Sequence, residues 1–184
     1  VTIVDTAMDV VVRTAPTGRR PLLPCVASNG DFVFLPSGPD RTVTGLDSDG
    51  EWLATLPVGL APHDIAVSPD SRWAYQPNSG SHSISVIDTR GRSVVGEVSV
   101  GKGPGHIAFS PDSRTAYVAN TLSDDVSVVE TSSHEVITTI PAGVAAHLPA
   151  IGPDGRFGYV ANFASDDITV WDTCNHRVVG RIAV

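Results

Sequence analysis

The six histidines include three that are nearly evenly spaced, and these are the residues of this chain best suited to chemistry. They are His63, His106 and His147, separated by 43 and 41 residues. Imidazoles titrate near neutral pH, so such a set can transfer protons, hold a metal ion or bind a haem-like group. The alternative is that they only close loops. No H-E-x-x-H, C-x-x-C or H-x-H motif is present, and we expect no metal and no cofactor.

A second group of polar residues could bind a ligand beside these candidate catalytic histidines. Arg19 and Arg20 stand where later parts of the chain have Leu-Ala and Lys-Gly, and paired guanidinium groups suit a carboxylate or an enolate. Asp64 and His82 complete the predicted ligand-binding set. The alternative for the two arginines is a solvated loop.

The elements that must position these residues recur along the whole chain. An acidic residue followed by Thr or Ser ends successive strand-like runs at intervals of 41 or 42 residues, at Asp5, Asp47, Asp88, Glu130 and Asp172. Pro-Asp turns keep the same interval, at Pro69-Asp70, Pro111-Asp112 and Pro153-Asp154. A period near 40 residues built from short strands predicts an all-β β-propeller with four-stranded antiparallel blades. We expect the acidic residue and the Thr to be structural, with the acid hydrogen-bonded into the following turn.

The repeat divides the chain into about four and a half blades. Residues 1–18 supply two strands of a partial blade, and full blades follow at 19–59, 60–101, 102–143 and 144–184. Within each blade we name the strands A to D from the axis outward. A blade reads as an apolar strand A, a Pro-Asp turn, an apolar strand B ending in Asn, a polar loop, and strands C and D.

The repeat resembles a known family of propellers. The segments Tyr117-Val118-Ala119-Asn120 and Tyr159-Val160-Ala161-Asn162 are similar to the Tyr-Val-x-Asn signature of YVTN-type β-propeller repeats. That family includes surface-layer repeats, lactonase-like enzymes and relatives of the haem d1 propeller, mostly with seven blades. The resemblance therefore implies the fold, while fold alone leaves the chemistry open.

A propeller places the histidines on two opposite faces. Loops from D to the next A and from B to C share the face around the channel mouth. This rule brings His63, His106, His147 and His82 to the channel face, and puts His134 and His176 in C–D turns on the other face.

Composition excludes several partners. The net charge is −8, which argues against nucleic acid, and no apolar run is long enough to span a bilayer, so we expect no membrane partner. Cys25 and Cys174 fall at different radii and heights of the propeller, and we expect no disulfide between them. The first residue is Val, so localisation stays open: secreted or periplasmic if a signal peptide was removed, cytoplasmic otherwise.

Ring closure has three alternatives: a fragment of a longer propeller, closure with a second copy, or a four-bladed ring. We favour a homodimer, because an open arc leaves apolar blade faces bare. We predict a binding module for a small molecule or protein partner at the channel mouth. The alternative is an enzyme, of the lactonase or lyase type or a cyclisation catalyst, that uses the histidine rim.

Overall fold

The computed structural model describes all residues from 1 to 184 and is built entirely of β-strands. It has no helix, and so none with the length and apolar character needed to cross a membrane. The strands form one two-stranded sheet and four four-stranded antiparallel sheets. The predicted fold class, a propeller arc of four and a half blades, is confirmed.

Each sheet follows the chain in order from the inner to the outer strand. The partial blade contains β1 (Thr2–Asp5) and β2 (Val10–Thr14). Blade 1 contains β3 (Cys25–Val26), β4 (Phe32–Ser37), β5 (Thr42–Asp47) and β6 (Trp52–Pro57). Blade 2 contains β7 (Ala66–Val67), β8 (Trp73–Asn78), β9 (Ser83–Asp88) and β10 (Ser93–Ser99). Blade 3 contains β11 (Pro104–Phe109), β12 (Thr115–Asn120), β13 (Asp125–Glu130) and β14 (Glu135–Pro141). Blade 4 contains β15 (Ala146–Ile151), β16 (Phe157–Asn162), β17 (Asp167–Asp172) and β18 (Arg177–Ala183).

The acid-Thr pair ties two turns of one blade together. In blade 2, Asp88 Oδ1 accepts hydrogen bonds from the backbone N–H of Arg90 and of Gly91, both at 2.9 Å. Thr89 Oγ1 donates to the carbonyl of Ser71 in the A–B turn, at 2.6 Å. Carboxylates accepting nearby backbone N–H groups are the standard way to fix a tight turn. The predicted structural role of this pair is confirmed.

Apolar side chains fill the spaces between neighbouring blades. Tyr75 and Ile84 of blade 2 pack against Val118 of blade 3. Tyr117 of blade 3 packs in turn against Trp171 of blade 4, with ring centroids 5.4 Å apart. Strands B and C are therefore buried on both faces wherever a blade has two neighbours, which explains their continuous apolar sequence.

A glycine directly precedes each full blade, and the backbone there passes over the end of strand B of that blade. Before blade 4, a Cβ at Gly143 would lie 2.6 Å from Asn162 Nδ2 and 2.5 Å from Ser165 Oγ. Asn162 Nδ2 donates to Asp167 Oδ1 at 2.5 Å and to Thr169 Oγ1 at 2.9 Å, so it is held beneath the glycine. The equivalent contacts are Gly59 on Asn78 and Gly101 on Asn120.

The arc leaves apolar surface uncovered on blade 4. Tyr117 of strand β12 is 1% exposed, whereas its equivalent Tyr159 of β16 is 36% exposed. Leu148 and Phe163 are also exposed on this blade. This uncovered face has the same composition as the faces that meet between blades, so it is fitted to receive another blade.

Gly143→Ala is expected to destabilise the protein by about 1–3 kcal/mol, because the added methyl group must displace a held side chain in a packed site. Gly180→Ala in β18 is the matched control, since a Cβ there meets no atom within 4 Å, and it should leave stability nearly unchanged. Urea denaturation measures both free energies of unfolding. Equal stability of the two variants would contradict the close approach at Gly143.

Association with a second copy stays a prediction, and the uncovered face of blade 4 gives it a specific test. We expect light scattering at micromolar concentration to show a mass above that of one chain, and Tyr159→Lys to lower it by placing a charge on the apolar face. Val179→Lys on the outer strand β18, also exposed, is the control and should change nothing. A monomeric mass for the unaltered protein would refute the prediction.

Candidate functional site

Three consecutive blades bring their histidines into one row at the inner edge of the arc. His63 precedes β7, while His106 lies within β11 and His147 within β15, and these inner strands neighbour one another around the axis. The ring centroids of His63 and His106 are 5.0 Å apart, and those of His106 and His147 are 4.5 Å apart. All three side chains are half-buried. We call this set the histidine row.

The backbone of His63 closes a loop, but its side chain does not. Its N–H donates to the carbonyl of Pro77 at 2.9 Å, and its carbonyl accepts a hydrogen bond from Nε2 of the buried Gln76 at 2.8 Å. Its Nδ1 is buried without a hydrogen-bond partner. Loop closure therefore accounts for the position of His63 and leaves its imidazole available for another role.

Asp64 adds a carboxylate to the histidine row. Its Oδ2 lies 3.5 Å from Nδ1 of His106, and the two side chains are 20% and 15% exposed. Burial lowers the pKa of His106, His147 lowers it further, Asp64 opposes this effect, and His63 adds a small decrease. The folded protein therefore favours the neutral imidazole of His106, which can accept a proton or donate an electron pair.

His63, Asp64 and His106 also form a group with the geometry of a ligand set. One potential ligand atom from each residue lies within 4.8 Å of the others. His147 extends the row beyond this group, with Phe163 beside it at a centroid distance of 5.9 Å.

The other predicted ligand-binding residues lie apart from the histidine row. Arg19 is paired with Asp40 in its own blade, with Nε and Oδ1 2.6 Å apart. The backbone N–H of Arg19 also donates to Asp40, and this bond, followed by the side-chain bond, lowers the pKa of Asp40. Arg20 is exposed, with a left-handed φ of 49°. No hydrogen bond or ion pair joins either arginine to the row, and their role as ligand-binding residues stays a prediction.

His82 has a structural contact that its exposure does not reveal. Its Nδ1 accepts a hydrogen bond from the backbone N–H of Gly103 at 3.1 Å, and its φ is 56°. This bond links the B–C loop of blade 2 to the loop that leads into β11, close to His106.

Phe163 is a residue of the site that the repeat could have indicated. It follows Asn162 at the end of strand B, where the two preceding blades have Ser79 and Thr121. It is 80% exposed, and an exposed aromatic ring in a normally polar loop is a departure that points to contact with another molecule.

The cavities of the arc lie away from the histidine row. One is formed on the opposite face between blades 3 and 4, and its lining includes Asp112 and Asp154. The other two lie near Trp52 and near Arg114. Within this arc the row forms an open rim rather than an enclosed pocket.

Comparison with known proteins places this architecture in a family. Residues 57–179, about two thirds of the chain and including the whole histidine row, match the model of the lactonase family described as a 7-bladed β-propeller. This chain belongs to the lactonase seven-bladed β-propeller family. The resemblance to YVTN-type and lactonase-like propellers is thereby confirmed.

Two solved structures show how the lactonase-family chain compares in three dimensions. Hydrazine synthase of Kuenenia stuttgartiensis is similar with a TM-score of 0.84 and 25% identity, over 94% of this chain and 51% of that one. A functionally unknown protein of Desulfotomaculum acetoxidans is similar in fold, with a TM-score of 0.74 and 17% identity, over 88% of this chain and 54% of that one. No curated protein matches the chain.

The family member described here spans about half the length of the solved structures it matches. Its four and a half blades are fewer than the seven of the family description. Two copies would together have eight full blades and two partial ones. A ring made of two copies would therefore differ in size from a seven-bladed ring, or would leave two-stranded hairpins outside it.

His134, in a C–D turn on the opposite face, contacts two aromatic side chains of blade 2. Tyr75 of blade 2 and His134 of blade 3 are joined by a hydrogen bond of 2.7 Å at Nδ1, and the His134 ring meets Trp73 edge-on at 4.6 Å. Burial raises the pKa of Tyr75, so its hydroxyl keeps its proton and donates the bond. Burial lowers the pKa of His134, and the charge of Arg72 lowers it further.

The lowered pKa of the half-buried His134 predicts a loss of stability in mild acid. The folded-state pKa of His134 is below its unfolded value of about 6.5. As the pH falls through the unfolded-state pKa of His134 towards its folded-state pKa, the imidazole takes up a proton in the unfolded chain before it does so in the folded protein. The free energy of unfolding therefore decreases. We expect the melting temperature to drop between about pH 7.5 and about pH 5.5, and to drop less in His134→Gln, which carries no titrating group there. An equal drop in both proteins would contradict this role.

Proposed function

We propose that this propeller binds a small molecule at the channel mouth, on the histidine row. The observation that carries the proposal is the alignment of three half-buried imidazoles from successive blades, one of which has a buried nitrogen without a partner. Buried polar atoms are normally satisfied, so an unsatisfied one at an open rim is suited to a ligand.

The chemistry of the row limits the class of ligand. Each neutral imidazole offers one N–H donor and one acceptor, Asp64 offers carboxylate acceptors, and Phe163 offers an exposed apolar ring at the edge. A compact molecule that has hydroxyl and carbonyl groups beside an apolar part satisfies all of these groups. Lactones and their hydroxy acids have this combination.

An enzyme is the second candidate, favoured by the family match over the segment that contains the whole row. A neutral imidazole of the row would take a proton from water as the water oxygen attacks a lactone carbonyl. The ring C–O bond would then break, and the proton would pass to the departing alkoxide to give a hydroxy acid. Lyase or cyclisation chemistry would use the same imidazoles as acid and base.

The test compares His63→Ala, His106→Ala and His147→Ala with His176→Ala, a half-buried histidine in a C–D turn on the opposite face. Binding of γ- and δ-lactones and of their hydroxy acids is followed by NMR of the histidine ring protons. At least one row variant should lose about tenfold or more in affinity, while its stability falls by no more than about 1 kcal/mol. Folded row variants that bind as tightly as the unaltered protein would refute the site.

The same lactones distinguish a binding module from an enzyme. Proton release on lactone opening is measured at constant pH with the unaltered protein. Release that exceeds the spontaneous rate, and falls in the row variants but not in His176→Ala, would favour the enzyme. Tight binding without release would favour the binding module.

A further inference from the structure

We propose that His63, Asp64 and His106 form a binding site for a divalent transition-metal ion of the zinc type. This inference rests on the proposed function, because it concerns the same rim and states what would hold the ligand there. It departs from the expectation of no metal, which was drawn from the absence of short linear motifs.

The separation of the potential ligand atoms supports the site. Ligands at about 2.0–2.1 Å from a tetrahedral zinc ion lie about 3.4 Å from one another. Asp64 Oδ2 and His106 Nδ1 are already 3.5 Å apart. The remaining pairs lie within 4.8 Å, so they need to close by no more than about 1.5 Å, within reach of side-chain rotation.

The chemical character of the three residues fits the same kind of ion. Two imidazoles and one carboxylate are a donor set used for zinc and for non-haem iron, whereas calcium and magnesium prefer oxygen ligands. Nδ1 of His63 is buried without a hydrogen-bond partner, so a metal ion would satisfy it. Gly105 lies beside this nitrogen, and a Cβ there would be 3.8 Å from it, in ordinary van der Waals contact.

The three ligands come from positions that the sequence separates but the propeller joins. His63 and Asp64 lie in the loop before the inner strand of blade 2, and His106 lies on the inner strand of blade 3. An ion at this point would therefore link two blades at the axis. Three protein ligands leave a fourth position of a tetrahedral ion open, facing the rim. The small molecule of the proposed function would then be one that offers a carboxylate or carbonyl oxygen to the ion.

The experiment uses Zn²⁺ and Co²⁺ alone, without any organic ligand. After treatment with a chelator, the protein is titrated with ZnCl₂ by calorimetry, and CoCl₂ is followed by its visible absorption, which is intense for tetrahedral and weak for octahedral coordination. We expect one ion per chain, a tetrahedral cobalt spectrum, and a rise in melting temperature with zinc concentration.

Variants locate the ion. His63→Ala, His106→Ala and the isosteric Asp64→Asn should each weaken zinc binding by about 100-fold or more. The control is a double variant, His176→Ala with Cys174→Ser, which removes an imidazole and an exposed thiol from a turn on the opposite face and should bind zinc as the unaltered protein does. Melting temperatures measured in the presence of chelator show whether each variant is folded. If an alanine variant does not fold, Asp64→Asn still tests the site, because it preserves the shape of the side chain.

Two results would overturn the metal site: no saturable zinc binding, or binding that is retained in Asp64→Asn and His106→Ala but lost in the double control. Neither result concerns the binding of lactones, which is measured in the presence of a chelator. If the row variants still lose lactone affinity under those conditions, the proposed function stands without a metal.

Discussion

The rest of the structure depends on one contact, between the glycine that precedes a blade and the Asn at the end of strand B, which recurs in blades 2, 3 and 4. At Gly101 a Cβ would lie 2.5 Å from Asn120 Nδ2 and 2.6 Å from Asp125 Oδ1. Asn120 in turn is fixed by hydrogen bonds to Asp125 and to Ser127. The chain can therefore leave an outer strand and reach the next inner strand only along one path. That path brings the residues after the glycine to the channel mouth.

The histidine row is a consequence of this path. Because each blade repeats the same route from glycine to inner strand, residues about 42 positions apart in sequence arrive side by side around the axis. His63 precedes the short strand β7, whereas His106 and His147 lie within the longer strands β11 and β15. The repeat thus carries three histidines to one place, where they lie half-buried beside one another and where Asp64 lies next to His106.

The sequence predicted that the three histidines lie side by side, because propeller geometry is periodic. The three histidines, Asp64 and their common face follow from the repeat. The sequence could not predict the ion pair between Arg19 and Asp40, because that pair depends on the conformation of one irregular loop. It also could not predict that Trp171 would occupy the space above Gly158, where a Cβ would collide with the indole ring. The equivalent pairs in the preceding blades are Ala116 opposite Val129 and Ala74 opposite Ile87. Blade 4 has a smaller residue on one strand and a larger one on the other, and this compensation is visible only once the strands are paired.

The sequence by itself determined the all-β fold, the four and a half blades and the face on which each histidine lies, because turn residues and strand lengths are local properties that repeat. Only the tertiary structure decided which polar atoms form hydrogen bonds and ion pairs. It paired Arg19 with Asp40, gave His82 a backbone partner in the next blade, and left Nδ1 of His63 buried and free. The reason is physical: hydrogen bonds and ion pairs act over about 3 Å, and periodicity fixes positions only to within a few ångströms.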